Sequence, residues 1–164
     1  MEDRSKTMAD PENSLVIGCD HAAVGLKEEI KKLLKERGIP VQDAGTHGLD
    51  SVDYPDYGIK VASMVSSGEA DRGILICGTG LGMSMTANRF AGVRAALCTE
   101  TFSAAMSRKH NDANVLVLGA RVTGTGLALE IVKTWLDTPF EGGRHQTRID
   151  KFNNLGTRTE RKMP

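Results

Sequence analysis

Short apolar runs alternate along this chain with longer stretches in which apolar residues recur every three or four positions. Leu15-Val16-Ile17, Ile39-Pro40-Val41, Ile74-Leu75-Ile76, Val93 to Leu97 and Val115 to Leu118 are the short runs, each read as a strand, the second a brief one whose proline suits a sheet edge or a strand start. Leu26, Ile30, Leu33 and Leu34 repeat at helical spacing with Lys and Glu between them, and Gly38 stops that helix. Tyr57, Val61, Met64 and Val65 give a second helix its apolar face; Asp53 and Pro55 mark its entry and Gly68 its end. A third helix begins over Met83 to Arg89, and a fourth runs through Phe102, Ala105 and Met106 to close at Lys109-His110-Asn111. Ala128, Ile131, Val132 and Trp135 mark the fifth, with Thr123-Gly124-Thr125-Gly126 supplying capping hydroxyls. After the Phe140-Glu141-Gly142-Gly143 hinge, Arg144 to Leu155 reads as a short basic helix. Strands alternating with helices imply a parallel sheet covered on both faces. The fold class is therefore α/β: a three-layer αβα sandwich of about five parallel strands, doubly wound in the Rossmann-like sense.

Composition narrows the partners. The chain has 164 residues, long enough for one domain with a real core, placed here at residues 14–141. Met1 to Asn13 is polar and aperiodic and reads as a disordered extension. Lys+Arg and Asp+Glu both number 21, a balance that argues against a dedicated nucleic-acid binder. Nothing approaches a membrane span, and no apolar signal-peptide core is visible. Cys19, Cys77 and Cys98 are odd in number and widely spaced, which excludes a disulfide framework or a Cys-x-x-Cys metal knuckle. The expectation is a soluble cytoplasmic protein.

In doubly wound folds ligands bind outside the C-terminal ends of the strands. The first strand delivers Asp20 and His21 there. The third delivers Cys77 and the turn Gly78-Thr79-Gly80-Leu81-Gly82, the fourth Cys98 and Thr99, the fifth Arg121. A strand, a glycine turn and a helix N-terminus place backbone N–H groups around an anion pocket. The turn is a poor dinucleotide fingerprint: its spacing is wrong, and the next strand ends in Leu97-Cys98 rather than an acid. Cys77 is either a small buried spacer or a reactive thiol whose position ahead of a helix N-terminus lowers its pKa. His110 either satisfies helix C-terminal carbonyls or acts at the rim. Arg144 and Arg148 lie four apart on one helix face, a spacing that clamps a phosphate or is merely solvated. Cys19 and Cys98 read as packing residues, and His47 as a loop histidine without a role.

Taken together, Gly18-Cys19-Asp20-His21-Ala22, Asp53-Tyr54-Pro55-Asp56-Tyr57, Cys77-Gly78-Thr79-Gly80-Leu81-Gly82-Met83, His110-Asn111-Asp112-Ala113-Asn114-Val115-Leu116 and Phe140-Glu141-Gly142-Gly143-Arg144-His145 closely resemble the type B ribose-5-phosphate isomerases. The wider family also holds galactose-6-phosphate isomerase subunits, and the similarity runs from about Leu15 to Phe152. The resemblance implies an aldose–ketose isomerase without metal or cofactor, acting through an enediolate. It implies Cys77 as the base that moves the proton between neighbouring carbons, with the N–H groups of Gly78 to Gly82 and Thr79 holding the oxyanion. By the same resemblance His110 aids ring opening with Asp20 as helper, and Tyr54 and Asn111 line the sugar site. His21, Arg121, Arg144 and Arg148 would hold the phosphate, some from a partner subunit. A thiol with a pKa of about 8.5, modestly lowered, suits proton transfer at neutral pH.

Cys77 and Met83 place the chain in the cysteine branch of the family; the other branch carries a glutamate at the second position. Thr147-Arg148 departs from a common basic pair, so only Arg148 carries over, and Arg89 stands where lysine is frequent. The implied partners are a small sugar phosphate and a second copy of the chain, with shared sites in a homodimer that could pair further into a tetramer. Residues 142–164 would pack at that interface. The rival readings are a six-carbon sugar 6-phosphate isomerase, for galactose or allose, and a sugar-phosphate-binding or thiol-redox module on the same fold.

Overall fold

In the computed structural model, which describes residues 14–153 and Leu155, five strands alternate with helices. They are β1 (Leu15–Cys19), α1 (Val24–Glu36), β2 (Val41–Asp43), α2 (Tyr54–Ser67), β3 (Arg72–Cys77), α3 (Leu81–Ala87), β4 (Ala95–Leu97), α4 (Thr101–Asn111), β5 (Val115–Gly119), α5 (Thr125–Asp137) and α6 (Arg144–Asn153). The sheet order is β2-β1-β3-β5-β4 and every pairing is parallel. The three-layer, doubly wound α/β fold is thus the one the hydrophobic pattern predicts. The winding reverses between β1 and β3, which opens a crevice beyond the C-terminal ends of those two strands.

The period-two alternation of the strands divides the core in two. Ile17, Ile74, Ile76, Leu116 and Leu118 bury one sheet face against Ile30 and Leu34 of α1, Ala104 of α4, and Ile131 and Trp135 of α5. Val16, Leu75, Cys77, Val115 and Val117 bury the other against Val61 and Val65 of α2 and Met83 and Ala87 of α3. Both faces being covered explains why the strands read as unbroken apolar runs. No helix among the described residues is long and apolar enough to cross a membrane.

Several local expectations shift. Pro40 stands before β2 rather than inside it, because a residue without an N–H cannot serve the ladder. The fourth strand begins at Ala95, since Val93 is used in a turn with its N–H on the Phe90 carbonyl. The third helix starts at Leu81, two residues before Met83, with Gly80 as its left-handed N-cap at φ 82°. The α5 N-cap is Gly124, and among the described residues no side-chain hydroxyl caps the helix and the buried Thr123 hydroxyl meets no partner. On α4 the buried side is Ala104, Ser107 and Arg108, while Phe102 is exposed. The basic helix ends at Asn153, with Leu155 beyond it. The extension at residues 1–13 lies outside the described residues.

Candidate active site

The crevice is lined first by β1. Asp20 follows the strand, is buried, sends its N–H to the Ile76 carbonyl of β3 at 3.2 Å and accepts the Ala22 N–H on Oδ1 at 3.0 Å. His21 accepts the Val52 N–H on Nδ1 at 3.1 Å, which leaves Nε2 as the ring's donor. Across the crevice Cys77 ends β3, 5 % exposed, and the Gly80 N–H donates to its Sγ at 3.1 Å. That bond fixes the sulfur against the glycine turn at the end of the strand. The Thr79 hydroxyl accepts the Leu81 N–H at 3.3 Å, whereas the N–H groups of Thr79 and Gly82 meet no acceptor among the described residues.

A side chain is crowded at two places here, and at Gly80 the left-handed φ of 82° disfavours one as well. A Cβ on Gly80 would lie 2.4 Å from Leu97 Cδ1, and one on Gly82 would lie 2.4 Å from the Tyr54 ring. Tyr54, the first residue of α2, therefore lies directly over the glycine turn. From β5 the Ala120 and Arg121 N–H groups reach the Cys77 and Gly78 carbonyls, both at 2.9 Å, and a Cβ on Gly119 would strike the Thr79 carbonyl oxygen at 2.5 Å. The two loops are stitched together, and the Arg121 side chain lies along Gly78.

A second group forms where α4 meets α6. The His110 and His145 rings stack with centroids 4.3 Å apart and 14° between planes. Glu141 lies 3.5 Å from His145 Nε2, and burial followed by the charge of His110 holds His145 below the usual histidine range. One ligand atom from each of His110, Glu141 and His145 lies within 4.8 Å of the others. Parallel rings direct their in-plane lone pairs side by side instead of toward one point, so this geometry favours stacking over metal coordination. Arg144 and Arg148 are exposed on α6, and Asn111 is exposed at the end of α4.

The structure therefore brings Asp20, His21, Tyr54, Cys77, the glycine turn and Arg121 to one crevice. It places His110, Asn111, Arg144 and Arg148 on a separate rim. Among the described residues no hydrogen bond or ion pair joins the two groups.

Two networks escape the sequence reading. Lys27 is fully buried and donates to Asp43 Oδ1 at 2.8 Å and the Thr46 carbonyl at 2.6 Å, with His47 Nδ1 at 3.5 Å. His47 is an exposed loop residue at the edge of this network, its Nδ1 3.7 Å from Asp43 Oδ2. Burial alone would raise the Asp43 carboxyl, but Lys27, Lys31 and the Gly45 N–H outweigh it and hold the group at about 2. The second network surrounds Asp112, the residue after α4, and joins it to Arg94 and Arg108. Cys19 and Cys98 are buried in the α1 side of the core, and burial pushes both thiols up to about 11.

Comparison with known proteins adds to this geometry. The Ribose/Galactose Isomerase family model matches residues 15–152. Ribose-5-phosphate isomerase B of Escherichia coli is 51 % identical over 144 residues, 88 % of this chain and 97 % of that protein. The structure of Clostridium thermocellum ribose-5-phosphate isomerase B superposes with a TM-score of 0.85 at 58 % identity, covering 87 % of this chain and 96 % of that one. The ribose-5-phosphate isomerase B of Mycoplasma genitalium, solved with bound ribulose-5-phosphate, gives a TM-score of 0.83 at 43 % identity, covering 85 % and 93 %.

Proposed function

The chain belongs to the ribose/galactose isomerase family, and from that premise we propose that it interconverts D-ribose 5-phosphate and D-ribulose 5-phosphate through an enediolate. The observation that carries this reading is the Cys77 sulfur, held by the Gly80 N–H at the mouth of the β1–β3 crevice beside Asp20. The Cys77 thiolate takes the proton from C2 of the open-chain aldose and returns it to C1. Negative charge then gathers on the O1–O2 edge, where the Thr79 hydroxyl and the N–H groups of the Gly78–Gly82 turn donate to it, and the O2 proton passes to O1 as C1 is reprotonated. For the cyclic sugar, His110 gives a proton to the ring oxygen while Asp20 draws the one on the anomeric hydroxyl, so the ring opens without net change of charge. Tyr54 and Asn111 line the sugar, and His21, Arg121, Arg144 and Arg148 hold the phosphate. No step in this scheme calls on a metal or a cofactor.

The separation of the His110 rim from the Cys77 crevice supports a site shared between two copies. One chain brings Cys77, and its partner brings the histidine and the α6 arginines. Three free, buried cysteines suit a reducing, cytoplasmic setting. The assay is isomerisation of pentose and hexose phosphates compared by kcat/KM, with solvent deuterium followed into the sugar. Preference for ribose 5-phosphate with deuterium at the transferred carbon is expected, and Cys77→Ala should abolish both. Full turnover by Cys77→Ala would remove the thiol from the mechanism, and a fully active monomer by light scattering would remove the shared site.

A further inference from the structure

The end of α4 is held by something stronger than an ordinary helix cap. Asp112 takes the left-handed conformation at φ 44° and is the only non-glycine residue with positive φ among those described. Its Oδ1 accepts from Arg108 Nη1 at 2.8 Å and its Oδ2 from Arg94 Nη2 at 3.2 Å. Arg94 Nε reaches the carbonyls of both Asn111 and Asp112 at 3.0 Å, and Arg108 Nη1 also holds the Ala113 carbonyl at 2.7 Å. Arg108 is buried, its guanidinium 5.8 Å from the Trp135 ring. Arg94 reaches on to Asn153 of α6 at 3.4 Å.

The last carbonyls of a helix lack internal partners, and unrestrained helix ends fray. Here two arginines secure the turn that carries His110 and Asn111, one from a residue of that turn and one from the lead-in to β4. We propose that Arg94 and Asp112, with Arg108 behind them, are positioning residues for ring opening. They fix the direction in which the last turn of α4 presents His110 to the sugar's ring oxygen. The inference rests on the reading of His110 as the ring-opening acid. A proton donor must come within about 2.6–3.2 Å of its acceptor, and a misplacement of about 1 Å costs on the order of a hundredfold. None of the three residues shares a hydrogen bond or ion pair with Cys77 or the glycine turn among the described residues. The clamp therefore governs ring opening, and at saturating ribulose 5-phosphate, where a loosened Asn111 or α6 raises KM only, it leaves the carbon–hydrogen chemistry alone.

Ribulose 5-phosphate separates the two steps. Its C5 oxygen carries the phosphate, so it has no ring to open, and exchange of its C1 hydrogen with deuterium oxide reports the thiol step alone. For Asp112→Asn and Arg94→Met, turnover of ribose 5-phosphate should fall about tenfold or more while C1 exchange stays within about twofold. Asn tolerates the left-handed conformation and keeps the side-chain shape, so Asp112→Asn is the variant that retains the fold. Parallel loss of turnover and exchange in it, or no loss of turnover, overturns the proposal. His110→Ala provides the separate control. If it leaves ribose 5-phosphate turnover intact, the reading of His110 has failed. If it splits the two activities and the clamp variants do not, only the clamp has failed.

Discussion

Replacing Lys27 by Met tests the buried charge network directly. Methionine keeps most of the apolar stem, so the change removes an ammonium more than it removes volume. What is lost is one side of a buried pair, the 2.8 Å contact with Asp43, together with the donor to the Thr46 carbonyl. Breaking such a pair costs about 3–5 kcal/mol. Asp43 keeps Lys31 at 2.7 Å and the Gly45 N–H at 2.9 Å, which puts the expected loss near the lower end, about 3 kcal/mol. Linkage gives an independent figure. A carboxyl held at about 2 instead of 3.8 contributes roughly 2 kcal/mol to stability at neutral pH. Because the folded value is the lower one, that contribution is complete above about pH 4 and is lost as pH falls through about 2. Urea unfolding at a fixed protein concentration, at pH 7 and about pH 3, reads both effects. The variant should be about 3 kcal/mol less stable at pH 7, and the gap should narrow by about 0.5 kcal/mol at the acid pH, since Lys31 and the Gly45 N–H keep part of the Asp43 contribution in both proteins. A gap below about 0.5 kcal/mol, or one of equal size at both pH values, would refute the reasoning.

Two glycine variants should part company. Gly80→Ala presses Leu97 and the Leu118 backbone and forces alanine to φ 82°, so a loss of about 2 kcal/mol or more is expected in thermal unfolding together with turnover. Gly82→Ala meets only the Tyr54 ring, an exposed side chain that can swing away, and should raise KM severalfold with little change in Tm. Iodoacetamide at neutral pH should leave Cys19 and Cys98 unmodified in the native protein and alkylate both in urea, as peptide mass spectrometry would show; native labelling of either would contradict burial that pushes them to about 11.

Much of this molecule is legible in its sequence because the signals are local. Apolar runs ending at Cys19, Cys77 and Gly119 marked three of the strands, and strand ends in a parallel fold mark a rim. Lys27 was hidden because charge hides a buried position from a hydrophobicity pattern. It lies three residues before Ile30 and seven before Leu34, on the apolar stripe itself. A lysine on that stripe with an aspartate at the end of the next strand was the available signal. Arg108 is hidden for the same reason: its burial depends on Asp112, Ala113 and Trp135, and Trp135 is 27 residues away. The hydroxyls before α5 look like caps, and whether one bonds is decided by loop geometry. That His110 stands apart from the Cys77 crevice was not legible in the residues themselves, since which residues share a crevice is a tertiary fact; only the resemblance implied sites shared between copies.

The stitching of the Cys77–Gly78 carbonyls to the Ala120–Arg121 amides has a consequence for anyone wishing to alter which sugars are accepted. With Gly119 abutting the Thr79 backbone, there is no slack between the two segments for a longer or bulkier turn. The floor of the crevice behaves as a fixed tile, and an insertion there would disturb the thiol before it enlarged anything. Room for a larger or smaller substrate has to be made at the exposed wall, through Tyr54, Leu81 and the loop from His47 to Val52. A library aimed at new specificity would start with those side chains and leave the glycines untouched.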